Sequence, residues 1–320
     1  MEAVIFKEAG AWTEKLQLDR IEIENPLENE VQINILARPI NPSDEMFIQG
    51  NYRQKPDFPQ IAGLEAAGIV AKVGKNIDGK LIGQHVAFRA KGTWTEKINL
   101  PEKSFRFVPK EVPFEVACQL SLNVFTAYAL IERSELTHGQ WLLLTAANSS
   151  LSKQIIQLAK AKGINVIAVI RNAYYKDELF QLGADQVLNS ADPDLERQIL
   201  DIAPIGVNAI LDAVGGVLGS IISRVAAPFG KIIVYGRLDS HDTPFSYGTI
   251  IYKNLNIAGF GIDSWMVSKN ERDLDVIWEQ LMSSVVNNNL HLGYEKKFSL
   301  IDFKEAILFY KETGLKTILS

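Results

Sequence analysis

Three serines, Ser149, Ser150 and Ser152, stand where a polar turn, Ala147-Asn148-Ser149-Ser150, opens an amphipathic segment. A short apolar run, Trp141 to Leu144, precedes the turn, and Leu151, Ile155, Leu158 and Ala159 follow it at helical spacing. A turn that starts a helix offers unpaired N–H groups and the positive end of the helix dipole, the chemistry that holds a dinucleotide's pyrophosphate. Glycines are expected there, for the tight bend and for close approach of backbone to phosphate. Serines add a Cβ, so the loop reads equally as an ordinary strand–helix corner. Arg171 closes a second apolar run, Val166 to Ile170, about 20 residues past the turn, where an acid binds the ribose 2′-hydroxyl of NAD and an Arg accommodates the 2′-phosphate of NADP. No Asp or Glu follows until Asp177, and the planar guanidinium suits phosphate. The expected cofactor is therefore NADPH; a solvated Arg after a strand is the bland alternative.

Other reactive types are sparse. Cys118 is the single cysteine and sits in an apolar helical pattern, where it reads as core packing. It excludes an intrachain disulfide and a cysteine-rich zinc site, and suggests weakly a cytoplasmic location. His85, His138, His241 and His291 are scattered and read as ordinary surface or core residues. No metal is expected.

The elements that must position these residues follow from pattern. The chain has 320 residues, 47% hydrophobic and 22% charged, an ordinary globular balance with room for two domains. A net charge of −5 and the lack of a Lys/Arg cluster speak against nucleic acid as a partner. No apolar run approaches the ~20 residues of a membrane span, so no membrane partner is expected. Residues 1–110 look mostly β: Met1 to Lys7, Ile21-Glu22-Ile23 and Val31 to Ile35 read as strands among dense Gly and Pro turns, as in a barrel-like domain. From Pro113 the texture turns helical. After Trp141, strands and helices alternate: strands at 141–144, 166–170, 185–188, 207–211, 232–236 and 255–260, helices at 174–182, from Asp192-Pro193, and at 217–227. About six such strands describe a doubly wound parallel sheet. A long helix, Trp265 to Asn287, precedes a tail from His291 to Ser320 that is too short to fold alone and is expected to pack on the first domain. The cleft between the domains is then the default site. Leu255 to Phe260 alternates and should lie at a sheet edge, which invites a homodimer.

The residues resemble the medium-chain dehydrogenase/reductase superfamily over essentially the full chain. They resemble its zinc-free branch of quinone reductases and mitochondrial-type 2-enoyl thioester reductases. The stretches that carry the likeness are Pro39 to Asp44, Ile48 to Tyr52, Gly63-Leu64-Glu65, Gly92 to Glu96, Asn123 to Tyr128, Ala147-Asn148-Ser149, Val214-Gly215-Gly216, Tyr235-Gly236, and Gly259-Phe260-Gly261 leading to Trp265. The resemblance implies an α/β fold: a Rossmann domain at 121–263 and a GroES-like β-rich catalytic domain formed by 1–120 and 264–320. The zinc members carry a Cys and a Gly-His-Glu where this chain has Asn41 to Asp44 and Gly63-Leu64-Glu65, so their ligands are absent.

The same resemblance implies site residues. Tyr52 is expected to supply a proton or stabilise charge on the substrate oxygen, or else to be a loop aromatic that shields the cleft. Asn41 would orient substrate or ribose, or simply make an Asx-Pro turn. Trp265 matches an active-site Trp or anchors the first turn of a helix. Thr126, Gly215, Tyr235, Gly236 and Phe260 match the cofactor groove, Asn148, Ser149 and Ser150 its phosphate turn, and Lys316 a Lys that reaches the cofactor. The family has glycines at the places of Ser150 and Ser152. The expectation is a usable but altered NADPH site in a reductase acting on a small-molecule or thioester substrate. A family member that has lost turnover and serves as a binding or interaction protein stays open beside it.

Overall fold

A computed structural model describes all 320 residues. The chain forms two compact units, Met1–Leu122 with Leu292–Ser320, and Asn123–His291.

The first unit opens with β1 (Glu2–Phe6), α1 (Trp12–Lys15), β2 (Gln17–Arg20), β3 (Glu30–Pro39), α2 (Pro42–Ile48) and β4 (Gln60–Ile61). There follow β5 (Glu65–Val73), β6 (His85–Arg89), β7 (Lys97–Pro101), β8 (Phe105–Phe107) and α3 (Phe114–Ala117). The strand expected at Ile21 to Ile23 is displaced: β2 ends at Arg20, where its register against Glu2 runs out. Alternating Val31, Ile33 and Ile35 of β3 drive one face into a core with Val70, Val86 and Phe88.

The second unit holds α4 (Phe125–Ser134), β9 (Trp141–Leu144), α5 (Ser150–Ala161), β10 (Asn165–Ile170), α6 (Lys176–Leu182), β11 (Gln186–Asn189) and α7 (Leu195–Ile202). It continues with β12 (Val207–Asp212), α8 (Gly216–Arg224), β13 (Ala226–Val234), α9 (Tyr247–Lys253), β14 (Asn256–Gly259), α10 (Ile262–Val267) and α11 (Glu271–Val286). The six strands pair in parallel in the order β11-β10-β9-β12-β13-β14, the doubly wound arrangement, with the order reversing between β9 and β12. The apolar runs become strands buried on both faces. β14 is an edge strand, as its alternation suggested.

Three boundaries differ from expectation. The helix expected at 217–227 ends at Arg224, because Ala226 pairs with Val207 and begins β13. The next helix after Asp192-Pro193 begins at Leu195, with Asp192 accepting from the N–H of Asp194. The long helix expected from Trp265 is two, interrupted where Asn270 accepts from the N–H of Asp273 and starts α11.

The tail supplies β15 (Lys296–Phe298), α12 (Phe303–Thr313) and β16 (Thr317–Leu319). β16 joins β3, giving a sheet β15-β16-β3-β5-β6-β8 with β7 also on β3, so the tail completes the first unit as expected. It does so only from Leu292 on, not from residue 264. α10 and α11 stay with the second unit because they pack on α4. Trp278 stacks on Phe125 at 6.0 Å, and Trp265 meets Tyr128 at 6.2 Å. The helical stretch Phe114–Ser134, 21 residues, is long and apolar enough to cross a membrane by length and composition. Glu115, Gln119, Ser121 and Asn123 interrupt its apolar run. Within the protein 72% of its most apolar window is buried, as in a core helix.

Candidate active site

In the second unit the C-terminal ends of β9, β12 and β13 converge on the turn that opens α5. The Ser149 Oγ accepts from the N–H of Ser152 at 3.2 Å and so caps the helix. That leaves the N–H groups of Ser150 and Leu151 for a ligand at the helix start. Ala146, just before, takes a left-handed φ of 46°, a costly conformation for a residue with a Cβ. The N–H of Ala147 donates to Val169 O, which fastens the turn to β10.

A buried pair that sequence reasoning missed spans the switch point. Asp212 Oδ1 accepts from Thr145 Oγ1 at 2.7 Å and from the N–H groups of Val214 and Gly215 at 2.9 and 3.2 Å. The Thr145 hydroxyl oxygen in turn accepts from the Ala213 N–H at 2.8 Å. The ends of β9 and β12 are thereby tied, and the Val214-Gly215 loop is held open at φ 77° for Gly215. Gly216 takes a left-handed φ of 57° that strains any residue with a Cβ, and a Cβ on Gly236 would press on the Ala213 backbone. The only sequence signal was a Thr and an Asp at the ends of adjacent apolar runs.

Tyr235 follows β13, half-buried, with its hydroxyl 3.2 Å from Ser152 Oγ. Burial pushes its phenol up to about 12. Phe260 packs against the same core, its N–H on Val234 O. Asn148 is half-buried in the turn, and Thr126 lies half-buried in the first turn of α4. Arg171 is exposed at the end of β10. Close to the turn, Lys153 pairs with Glu178 at 2.6 Å and lies over the Tyr175 ring.

Trp265 has the anchoring contacts that were the alternative to a catalytic role. Its indole N–H donates to Glu132 Oε2 at 2.7 Å, and Lys269, bonded to Glu132 Oε1 at 2.8 Å, lies over its ring. The side chain is buried and its donor is spent on holding α10 to α4.

In the first unit the two ends of α2 carry Asn41 and Tyr52. Asn41 is the N-cap in a capping box whose other half is Asp44: the Asn41 N–H donates to Asp44 Oδ2 at 2.8 Å. At the far end Gly50 takes φ 72°, the left-handed bend that turns the chain back, and the Tyr52 N–H donates to Met46 O at 3.0 Å. Tyr52 is half-buried against the cluster that includes Phe6, Phe47 and Trp94.

Asn41 is part of a buried polar network. Lys316 Nζ donates to Asn41 Oδ1 at 2.7 Å, and Asn41 Nδ2 donates to Glu65 Oε2 at 3.2 Å. Glu65 Oε1 accepts from the Leu122 N–H at 2.7 Å and the Ser121 hydroxyl at 3.2 Å. Both donors lie on the π-helical turn Leu120–Val124, whose wider winding disturbs the ordinary helical ladder. Burial raises the Glu65 carboxyl, against the opposing charge of Lys316. Burial also drives Asp44 up to about 7, and lowers the Lys316 ammonium against the pull of Glu65. The Cys118 thiol is raised well above its usual value by burial, which leaves it an inert core residue. Lys316, expected to reach the cofactor, is thus bonded to Asn41 inside the first unit.

This network does not fit a zinc ion. No three of the chain's His, Cys, Asp and Glu side chains group as a ligand set, and an ammonium stands against the amide and the carboxylates.

A GroES-like β-unit completed by its own tail, with a doubly wound parallel sheet carrying a helix-start turn at the switch point, is the scaffold of a nucleotide-dependent oxidoreductase. The family model for the alcohol dehydrogenase GroES-like domain matches residues 27–109, and that for zinc-binding dehydrogenases matches 152–278. Rat mitochondrial enoyl-[acyl-carrier-protein] reductase is 32% identical over 99% of this chain and 86% of its own length. Among solved structures, a protein from Bacillus thuringiensis described as a candidate NADPH:quinone reductase superposes with a TM-score of 0.93 at 26% identity, covering 100% and 98% of the two chains. The Candida tropicalis mitochondrial 2-enoyl thioester reductase heterodimer gives 0.90 at 24% identity, with 100% and 99% covered, a likeness of fold. The chain belongs to the medium-chain dehydrogenase/reductase superfamily, in its quinone and enoyl reductase branch.

Proposed function

We propose that the protein is an NADPH-dependent reductase that delivers hydride to an activated C=C, with a 2-enoyl thioester as the preferred acceptor. The full-length likeness to an enoyl-[acyl-carrier-protein] reductase carries this reading. The residues fit the cofactor: the Ser150 and Leu151 N–H groups would take the pyrophosphate, the open Gly215 loop lies beside them, and Arg171 would meet the 2′-phosphate. Asn148, Thr126, Tyr235, Gly236 and Phe260 would line the groove.

When bound, NADPH supplies the hydride. What the chain must add is stabilisation of the negative charge that reaches the thioester oxygen and a proton for the α-carbon. Tyr52 carries that role, its phenol supplying an O–H donor. Asn41 is buried with its amide oxygen on Lys316 and its amide nitrogen on Glu65, so it acts as a positioning residue at the start of α2, the helix whose far end leads to Tyr52. The reaction needs no metal. Quinone reduction is the second reading, favoured by the 0.93 superposition on the Bacillus thuringiensis protein. A homodimer built on the open edge of β14, flanked by exposed Tyr247, Ile251 and Tyr252 of α9, belongs to the same proposal. So does a cytoplasmic location, although the rat relative's name places that enzyme in mitochondria.

Tyr52→Phe tests the assignment. Turnover of crotonyl thioester should fall about 10²- to 10⁴-fold, the scale of general acid catalysis, while NADPH affinity holds. Unchanged turnover would remove Tyr52 from the chemistry.

A further inference from the structure

Ser152 occupies a place where the family resemblance puts glycine, and the sequence alone made it an obstruction to phosphate. Its surroundings point elsewhere. The side chain is fully buried, so its hydroxyl faces no solvent-borne ligand. The Ser149 hydroxyl donates to Ser152 Oγ at 2.9 Å while accepting the Ser152 N–H, and Ser152 Oγ lies 3.2 Å from the Tyr235 hydroxyl. Tyr235 is held in turn by its N–H on Asp212 O at 2.9 Å, and Asp212 binds Thr145 beneath the turn. A closed circuit, Thr145–Asp212–Tyr235–Ser152–Ser149, therefore surrounds the loop from β9 to α5. A glycine at 152 has no hydroxyl to complete it.

We propose that Ser152 is a positioning residue for the dinucleotide's pyrophosphate: its hydroxyl locks the helix cap to Tyr235, so that the Ser150 and Leu151 N–H groups are held in one direction. This rests on the cofactor reading above. Pre-organised donors bind more tightly because less freedom is lost on binding. The pyrophosphate is common to NADPH and NADH, so the effect is blind to the 2′-phosphate.

The test is calorimetric titration of the wild type, Ser152→Ala, Ser152→Gly, Tyr235→Phe and Ser152→Ala/Tyr235→Phe with NADPH, NADH and adenosine 2′-monophosphate, which has no pyrophosphate. Each single variant should weaken both dinucleotides by the same factor, about three- to tenfold, the worth of one net hydrogen bond. The double variant should be no weaker than the worse single, because both break one link. Adenosine 2′-monophosphate should bind all of them alike, and KM for NADPH should rise in step with the loss of dinucleotide affinity. Additive losses, an equal loss for adenosine 2′-monophosphate, or tighter NADPH binding by Ser152→Gly would each overturn the proposal. Tyr235→Phe alone keeps the test decisive if the serine variants fold poorly. A wild type that binds none of the three ligands refutes the cofactor reading itself, and the inference with it.

Discussion

Asp44→Asn should change how stability responds to pH. Asp44 is buried, with Oδ2 on the Asn41 N–H. Glu65 from β5, Lys316 beside β16 and Tyr310 from α12 are the ionisable groups that act with it. Burial, with the like charge of Glu65, raises its carboxyl from 3.8 to about 7 against the help of the Asn41 N–H and Lys316. Between those values the folded chain keeps a proton that the unfolded chain releases, so stability falls as pH rises from about 4 to about 7. A rise of about three pH units is worth at most about 4 kcal/mol, and about 2–3 kcal/mol of it falls between pH 5 and 8. Asn cannot ionise and still offers an acceptor to the Asn41 N–H. Urea melts at pH 5, 6, 7 and 8 should show the wild type losing stability across the series and Asp44→Asn losing less. The variant should thus gain on the wild type toward pH 8, whatever their offset at pH 5. Parallel profiles for the two proteins would refute the reasoning.

Arg171→Ala should cost NADPH about 1.5–3 kcal/mol, the scale of a charge-assisted bond, and leave NADH little changed. Titration with both cofactors checks it, and equal losses would take Arg171 off the 2′-phosphate. Chelator should leave reductase activity intact, because no ligand set groups for zinc; activity lost to chelator and restored by zinc would contradict this. Light scattering at micromolar concentration should give a dimer, and a monomer would count against pairing at the β14 edge.

The parallel sheet was legible because its strands are continuous apolar runs, and the edge strand because it alternates. α9 was not: it is seven residues long, without a buried residue, and begins with a Ser246 cap after a Pro-containing loop. The long helix at 265–287 was misread because Asn270, a good cap, sits inside an otherwise helical pattern. The site divides in the same way. Its serine turn and Arg171 lie on one strand–helix–strand stretch and carry a local signature. Lys316 and Asn41 are 275 positions apart, and only the return of β16 to β3 brings them together. The Thr145–Asp212 tie is equally non-local, and so is the hydroxyl bridge from Ser152 to Tyr235. The anchoring contact of Trp265 is non-local as well: its indole N–H reaches Glu132, 133 positions away.

Hydride transfer to an enoyl thioester is the claim on which the rest depends. NADPH oxidation by the purified protein, followed with crotonyl-CoA, longer 2-enoyl thioesters, enones and quinones, measures it directly. Steady turnover of the enoyl thioesters, with the quinones slower and NADH a poor donor, is the predicted result. No oxidation with any acceptor, in a protein that binds NADPH, would contradict it and leave a family member that binds cofactor without turnover.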